Sequence, residues 1–133
     1  MCSSDLLNGQ QVTVAYSVLD INEIGHAFDG DPTTLIRTLE ANPLKIILSF
    51  PKPVQFQSAT LLIGGPPTRV TVTALLEGEE LAALSEEVGQ APVTREITLT
   101  FSDELTVDEI RIEVLSVNDG EVSHVHLWEV TLK

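Results

Sequence analysis

Hydrophobic and polar residues alternate along much of the chain in short runs, which clusters of Gly, Pro, Asn and Asp separate. From Leu44 to Phe50 the even-numbered residues are apolar, while Lys45 and Ser49 are polar, which is typical of a strand with one buried face. The pattern predicts strands over Val12 to Val18, Leu44 to Phe50, Ser58 to Ile63, Arg69 to Glu77, Arg95 to Phe101, Glu109 to Ser116 and Val122 to Leu132. Short strands at this spacing predict an all-β fold, an antiparallel sandwich or jelly roll of about eight strands.

The sequence of residues 79–88 is compatible with either a short helix or a strand. Leu81, Leu84 and Val88 have helical spacing and lie among good helix formers. Its position after the turn-like Gly78 suits the return strand of a hairpin instead. We favour the strand, and a short helix stays as the alternative.

Composition narrows the possible partners. The chain has 20 acidic and 7 basic residues and a net charge of -13, which repels phosphate backbones and anionic lipid head groups, so we expect no nucleic-acid partner. No apolar run reaches the roughly 18 residues that a membrane-spanning helix needs. A single cysteine excludes an internal disulfide, so the fold depends on packing.

The N-terminus resembles the mature start of a bacterial lipoprotein over Cys2 to Asp5, where a lipid-modified cysteine precedes a polar tether. On this interpretation Met1 replaces a removed signal, Cys2 carries a lipid anchor, and the protein is extracytoplasmic. The alternative is a chance cysteine in a frayed terminus. Residues 1–11 are expected to form a flexible tether and residues 12–133 a single domain.

The segment from Ala27 to Thr34 combines two carboxylates, a glycine, a proline and two hydroxyl groups. Ca²⁺ takes about six to eight oxygen ligands, and a tight turn can direct carbonyls and side chains at one point. The same residues also make an ordinary turn, so both interpretations stay open.

This turn, together with the final strand around Val125 to Val130, resembles the discoidin or coagulation factor 5/8 type C family. That family belongs with the galactose-binding-like jelly rolls, which include many bacterial carbohydrate-binding modules. The resemblance extends from about Val12 to Leu132 and implies a structural Ca²⁺ where the first turn meets the final strand. The implied ligands are the side chains of Asp29, Asp31, Thr34 and Glu129 and the carbonyls of His26, Thr34 and Trp128.

The chain departs from the family pattern in its aromatic residues. Ile36 stands where the family usually has an aromatic residue. Sugar-binding members typically expose an aromatic side chain in a loop, whereas Phe50, Phe56 and Phe101 fall in or at the ends of predicted strands and are expected in the core. Carbohydrate binding is therefore less well supported than the fold.

The final strand has two further features. His124 and His126 share one face at a spacing of two, which allows a transition-metal site or, alternatively, a solvated strand face. Val130 and Leu127 have opposite parity although both are apolar, which predicts a β-bulge that directs Glu129 toward the first turn.

The sequence offers little for catalysis. Its neighbouring acids, such as Glu86 and Glu87, are adjacent in sequence and would point to opposite faces of a strand, so they cannot act as an acid/base pair. No serine elbow or zinc-binding helix motif is present. We therefore expect a protein that is not an enzyme.

The resulting expectation is an extracytoplasmic binding module that recognises carbohydrate or another cell-surface ligand through its loops. The alternative is a protein-interaction or assembly domain without sugar binding. The expected ligand contacts are polar residues in or near predicted loops, namely Arg69, Asn118, Asp119, His124 and His126.

Overall fold

The computed structural model describes residues 2–7, 10–16, 19–21, 36–38, 44–63, 68–89, 95–116 and 126–132. Its strands are β1 (Cys2–Leu7), β2 (Gln10–Tyr16), β3 (Leu19–Ile21), β4 (Ile36–Thr38), β5 (Leu44–Ile63), β6 (Thr68–Leu76), β7 (Glu79–Val88), β8 (Arg95–Ser116) and β9 (His126–Leu132). All the strand pairs that the structure describes are antiparallel. The described segments contain no helix that is long and apolar enough to cross a membrane.

The strands form a β-sandwich whose two layers share the long strands β5 and β8. The larger layer has the order β1-β2-β5-β8-β6-β7 and uses residues 44–49 of β5 and 109–116 of β8. The smaller layer has the order β8-β5-β9-β4-β3 and uses residues 58–63 of β5 and 95–100 of β8. The predicted antiparallel sandwich is confirmed.

The two long strands change layers at two irregular points in their pairing. Residues 50–53 of β5 lie opposite the single residue Asp108 of β8. Residues 101–104 of β8 lie opposite the single residue Gln57 of β5. Extra residues on one strand of a pair bend that strand and increase its twist. The sequence pattern predicts separate strands on either side of these points, whereas the structure joins them into one long strand in each case.

The core lies between the layers and follows from the period-two alternation of the strands. Ile46, Ile112 and Val72 are neighbours in register on β5, β8 and β6, and all three are buried. Burying such a side chain stabilises the fold by about 1.5–3 kcal/mol. Other buried apolar residues of the two layers include Val14, Leu44, Leu48, Phe50, Phe56, Leu61, Ile63, Phe101, Ile110 and Leu127.

Strands β6 and β7 form a hairpin, so the strand interpretation of residues 79–88 is confirmed. Glu77 and Gly78 connect the strands with φ values of 52° and 80°. Two successive residues with positive φ are the signature of a type I′ turn, whose twist matches that of the flanking strands. Leu81, whose spacing contributes to the helical pattern, is the extra residue of a bulge in β7 and is exposed.

The N-terminal segment differs from the predicted tether of residues 1–11. Cys2–Leu7 forms β1, which pairs along its whole length with β2. The register pairs Leu7 with Gln10, so only Asn8 and Gly9 separate the strands. Asn-Gly is strongly favoured between the strands of a two-residue hairpin, and this local signal accounts for the pairing.

Candidate functional site

Several strand ends meet at one end of the sandwich, which we call the loop end. In the smaller layer, Ile63 pairs with Arg95 and with Leu127. In the larger layer, Thr68 pairs with Ser116 and Val88. The four residues 64–67 span at most about 18 Å, so Ile63 and Thr68 lie at the same end of the molecule. The segments 64–67, 90–94 and 117–125 all begin and end there.

Arg95 links the two layers at the loop end. It is the first residue of β8 and is half-buried, and its guanidinium donates a hydrogen bond to the carbonyl oxygen of Gly89, directly after β7. Sequence reasoning did not select Arg95, because a single arginine at the start of a strand has no distinctive motif. The structure therefore adds a positively charged residue to the polar groups of this end.

The structure describes two of the five predicted ligand contacts, Arg69 and His126. Arg69 is the second residue of β6, is exposed, and donates two hydrogen bonds to Glu87 Oε2, at 3.1 Å from Nε and 2.8 Å from Nη2. His126 is the first residue of β9 and pairs with Arg37. Asn118, Asp119 and His124 lie outside the described residues, within the segment 117–125 that joins two strands at the loop end.

The predicted bulge in β9 is confirmed. Leu62 of β5 pairs with Glu129 and the next residue, Ile63, pairs with Leu127, so Trp128 is the extra residue. The bulge allows Leu127 and Val130 both to be buried although their parity differs. Glu129 therefore lies on the face of β9 opposite to that of the buried Val130.

The environment of Glu129 fits a ligand of a hard cation. Glu129 is half-buried, and its Oε2 atom is shielded from solvent. Carboxylate oxygens are the preferred ligands of Ca²⁺. The other predicted side-chain ligands, Asp29, Asp31 and Thr34, and the carbonyl of His26, lie outside the described residues.

Strand β4, which pairs with β9, begins two residues after the predicted turn of residues 27–34. Ile36, the first residue of β4, pairs with Leu127. In sequence, Thr34 precedes Ile36 by two residues, and Glu129 follows Leu127 by two. Among the residues that the structure describes, no three His, Cys, Asp or Glu side chains form a metal-binding group.

Two of the neighbouring acids have structural roles. Asp108 accepts hydrogen bonds from the backbone N–H of Glu77, at 3.2 Å to Oδ1 and 3.1 Å to Oδ2, and so connects β8 to the β6–β7 turn. Glu109 Oε2 accepts a hydrogen bond of 2.6 Å from Arg111 Nε on the same strand. Glu86 and Glu87 are both exposed.

The aromatic side chains that the structure describes do not offer a platform for a sugar ring. Phe50, Phe56 and Phe101 are buried in the core, as the sequence pattern predicts, and Tyr16 is partly buried against it. In the described part of the chain, polar groups rather than exposed rings are therefore available to a ligand.

The fold is that of known carbohydrate-binding modules. The family 32 module of C. perfringens NanJ in complex with galactose matches with a TM-score of 0.70 and 18% identity, over 91% of this chain and 92% of that chain. Chitosan-binding module 1 of a Paenibacillus sp. IK-5 chitosanase/glucanase matches with a TM-score of 0.64 and 19% identity, over 90% and 92%. A pectin-binding module matches with a TM-score of 0.66 and 18% identity, over 98% and 92%.

These matches confirm the galactose-binding-like, discoidin-type fold that the sequence resembles. Two further matching structures are a Ruminococcus gnavus GH29 fucosidase and SpGH29, of whose chains the match covers 24% and 26%. No family model and no curated protein sequence matches the chain. The three modules above are each covered over 92% of their own length.

Proposed function

We propose that this protein is a non-catalytic, extracytoplasmic carbohydrate-binding module. The observation that carries the proposal is the match of nearly the whole chain to a module in complex with galactose, over 92% of that module's length. Pectin-binding and chitosan-binding modules of the same fold support the same class of ligand.

The proposed ligand site is the loop end. The segment 117–125 begins and ends there and contributes Asn118, Asp119 and His124, whose side chains can donate and accept hydrogen bonds to sugar hydroxyl groups. Arg95 supports this placement, because it brings a charged donor to the same end. Arg69 is a weaker candidate, since Glu87 already holds its guanidinium.

We also propose a structural Ca²⁺ held by Asp29, Asp31, Thr34 and Glu129, with the carbonyls of His26 and Trp128. The shielded carboxylate oxygen of Glu129 and the register of β4 with β9 support it. The ion would join the segment before β4 to the final strand and add to stability.

A lipid anchor at Cys2 is a further part of the extracytoplasmic proposal. Cys2 is the first residue of β1 and pairs with Ala15, so a lipid there would attach directly to the edge of the larger layer. Labelling with a fatty-acid analogue in a bacterial host, with a lipoprotein signal peptide in place of Met1, tests this: we expect label on the protein with Cys2 and none on Cys2→Ser. Equal labelling of both would contradict it.

The carbohydrate proposal is tested by calorimetric titration with galactose, chitosan oligomers and pectin fragments. We expect at least one of them to bind, and His124→Ala and Asn118→Ala to weaken that binding. Glu96→Gln, an exposed change on β8 in the smaller layer, is the control. If no glycan binds the folded protein while a specific protein partner does, the alternative of a protein-interaction or assembly domain is the correct one.

A further inference from the structure

A groove lies on the outer face of the larger layer, away from the loop end. Its volume of about 340 Å³ falls within the range of roughly 300–1,000 Å³ typical of small-molecule sites. Six residues on the solvent side of three neighbouring strands form its centre, and we call them the central grid: Lys45 and Ile47 on β5, Arg111 and Glu113 on β8, and Thr71 and Thr73 on β6.

The register of the three strands arranges the central grid in two rows. Glu113 lies between Lys45 and Thr71, its partners on either side. Arg111 lies in the same way between Ile47 and Thr73. Strands are about 4.8 Å apart and residues two positions apart are about 6.7 Å apart, so the grid measures about 10 by 7 Å. This area is comparable to that of a pyranose ring with its hydroxyl groups.

Arg111, Glu113 and Thr73 of the central grid offer hydrogen-bond donors and acceptors that the described part of the protein does not use. Glu109 binds Nε of Arg111 and thereby orients the guanidinium, while its Nη atoms make no hydrogen bond within the described residues. The carboxylate of Glu113 and the hydroxyl of Thr73 likewise make none there. A vicinal diol can accept hydrogen bonds from a guanidinium and donate them to a carboxylate, so Arg111 and Glu113 form a complementary pair for it.

The charge of the groove indicates which ligands it suits. Two basic residues, Lys45 and Arg111, and two acidic residues, Glu80 and Glu113, line the groove, and Glu109 binds Arg111 beside it. The described lining is therefore close to balanced in charge, whereas the whole chain has a net charge of -13. A balanced patch attracts neither strongly acidic nor strongly basic ligands, and it favours a neutral ligand with many hydroxyl groups. The half-buried Ile47 adds an apolar contact for the C–H groups of a sugar ring.

We propose that the central grid is a second glycan subsite, which binds a neutral pyranose of an oligosaccharide through Arg111, Glu113 and Thr73. This inference rests on the proposed carbohydrate-binding function. It differs from the loop end in position, since it lies on the face of the sheet. Its described lining residues include no aromatic ring, so it is a weak subsite that acts together with the loop end on a longer chain.

NMR titration with linear galactotetraose tests the subsite, because backbone amides report each surface separately. We expect shifts at amides of β5, β6 and β8 around the central grid. Glu113→Gln and Thr73→Val should each weaken this binding about tenfold, as is typical for loss of a hydrogen bond to a charged group or of a buried hydroxyl contact. The matched controls are Glu96→Gln and Thr100→Val, exposed positions of β8 in the smaller layer, which should leave the binding unchanged.

The outcomes separate the two proposals. Shifts confined to residues at the loop end, with Glu113→Gln and Thr73→Val silent, would overturn the second subsite and leave the carbohydrate-binding function intact. Failure of galactotetraose and of every other glycan to bind the folded protein would overturn both. Equal weakening by the grid variants and by their matched controls would also overturn the subsite, because it would indicate a general effect on the protein.

Discussion

The rings of Phe56 and Phe101 meet edge to face at the point where the long strands change layers, with their centroids 5.7 Å apart and an interplanar angle of 63°. Phe101 is the first of the four β8 residues that lie opposite Gln57 of β5. Its carbonyl oxygen accepts a hydrogen bond of 3.3 Å from Gln57 Nε2. Both rings are buried. The pair therefore connects the two layers at their shared bend.

A double-mutant cycle measures this connection. Phe56→Leu and Phe101→Leu should each destabilise the protein, and the double variant should lose about 0.5–1.5 kcal/mol less than the sum, because the edge-to-face contact is lost only once. Chemical denaturation provides the free energies of unfolding. The control cycle combines Phe50→Leu with Phe101→Leu, two described residues whose rings do not form an aromatic pair, and should be additive to within about 0.5 kcal/mol. Equal coupling in both cycles would contradict the assignment.

The β6–β7 turn holds a non-glycine residue in the left-handed region, since Glu77 has φ 52°. Glu77→Asn should raise the free energy of unfolding by up to about 1 kcal/mol, because Asn tolerates this region and Asn-Gly is favoured in type I′ turns. Thermal unfolding measures the change. Glu79→Asn, on the adjoining strand, should not stabilise the protein, because Asn is unfavourable in strands. A lower melting temperature for Glu77→Asn would count against the turn assignment.

The contact between Asp108 and the backbone N–H of Glu77 ties that turn to β8. Asp108→Ala should destabilise the protein by about 1–2 kcal/mol, through loss of hydrogen bonds to a charged group. Asp108→Asn retains one acceptor oxygen and should cost less. Asp103→Ala, at an exposed position of β8, is expected to change stability by less than about 0.5 kcal/mol. Equal effects of Asp103→Ala and Asp108→Ala in denaturant unfolding would rule out this role.

The calcium proposal predicts that the ion stabilises the native state. A ligand that binds only the native state adds about 2.7 kcal/mol at a hundredfold excess over its Kd. Melting temperatures in millimolar Ca²⁺ should therefore exceed those in a chelator, and the difference should disappear in Asp29→Ala and Glu129→Gln. The variant Asp103→Ala should keep it. Identical melting curves for the wild type with Ca²⁺ and with chelator would show that residues 27–34 form only a turn.

The net charge of -13 predicts how salt affects the choice of glycan. Lowering the salt from about 0.1 M to about 0.01 M lengthens the Debye length from roughly 10 to 30 Å, so long-range repulsion and attraction both increase. Chitosan oligomers, which are cationic, should bind more tightly at low salt, and polygalacturonate, which is anionic, more weakly. Neutral galactotetraose should be unaffected. Tighter binding of polygalacturonate at low salt would indicate a local basic site that outweighs the net charge.

Much of the fold can be predicted from local patterns. The alternation from Leu44 to Phe50 identifies a strand and its buried face, and the parity of Leu127 and Val130 predicts a bulge in the final strand, which the structure places at Trp128. The Asn8-Gly9 pair also signals a hairpin, although the segment was assigned to a tether. These features depend on residues close together in the chain. Among the site predictions, the turn ligands of residues 26–34 and the contacts at 118–124 lie outside the described residues and stay predictions.

The sequence by itself identified the strand segments within β2 and β5 to β9 and which of their faces are buried, because side-chain direction alternates within each strand. It did not predict β1, β3 or β4. Only the tertiary structure decided which strands are neighbours. It joined two pairs of predicted strands into β5 and β8, placed Arg69 beside Glu87, and brought Lys45, Thr71 and Arg111 onto one surface. Strand pairing links residues that are far apart in sequence and depends on how the complete core packs, so no local pattern specifies it.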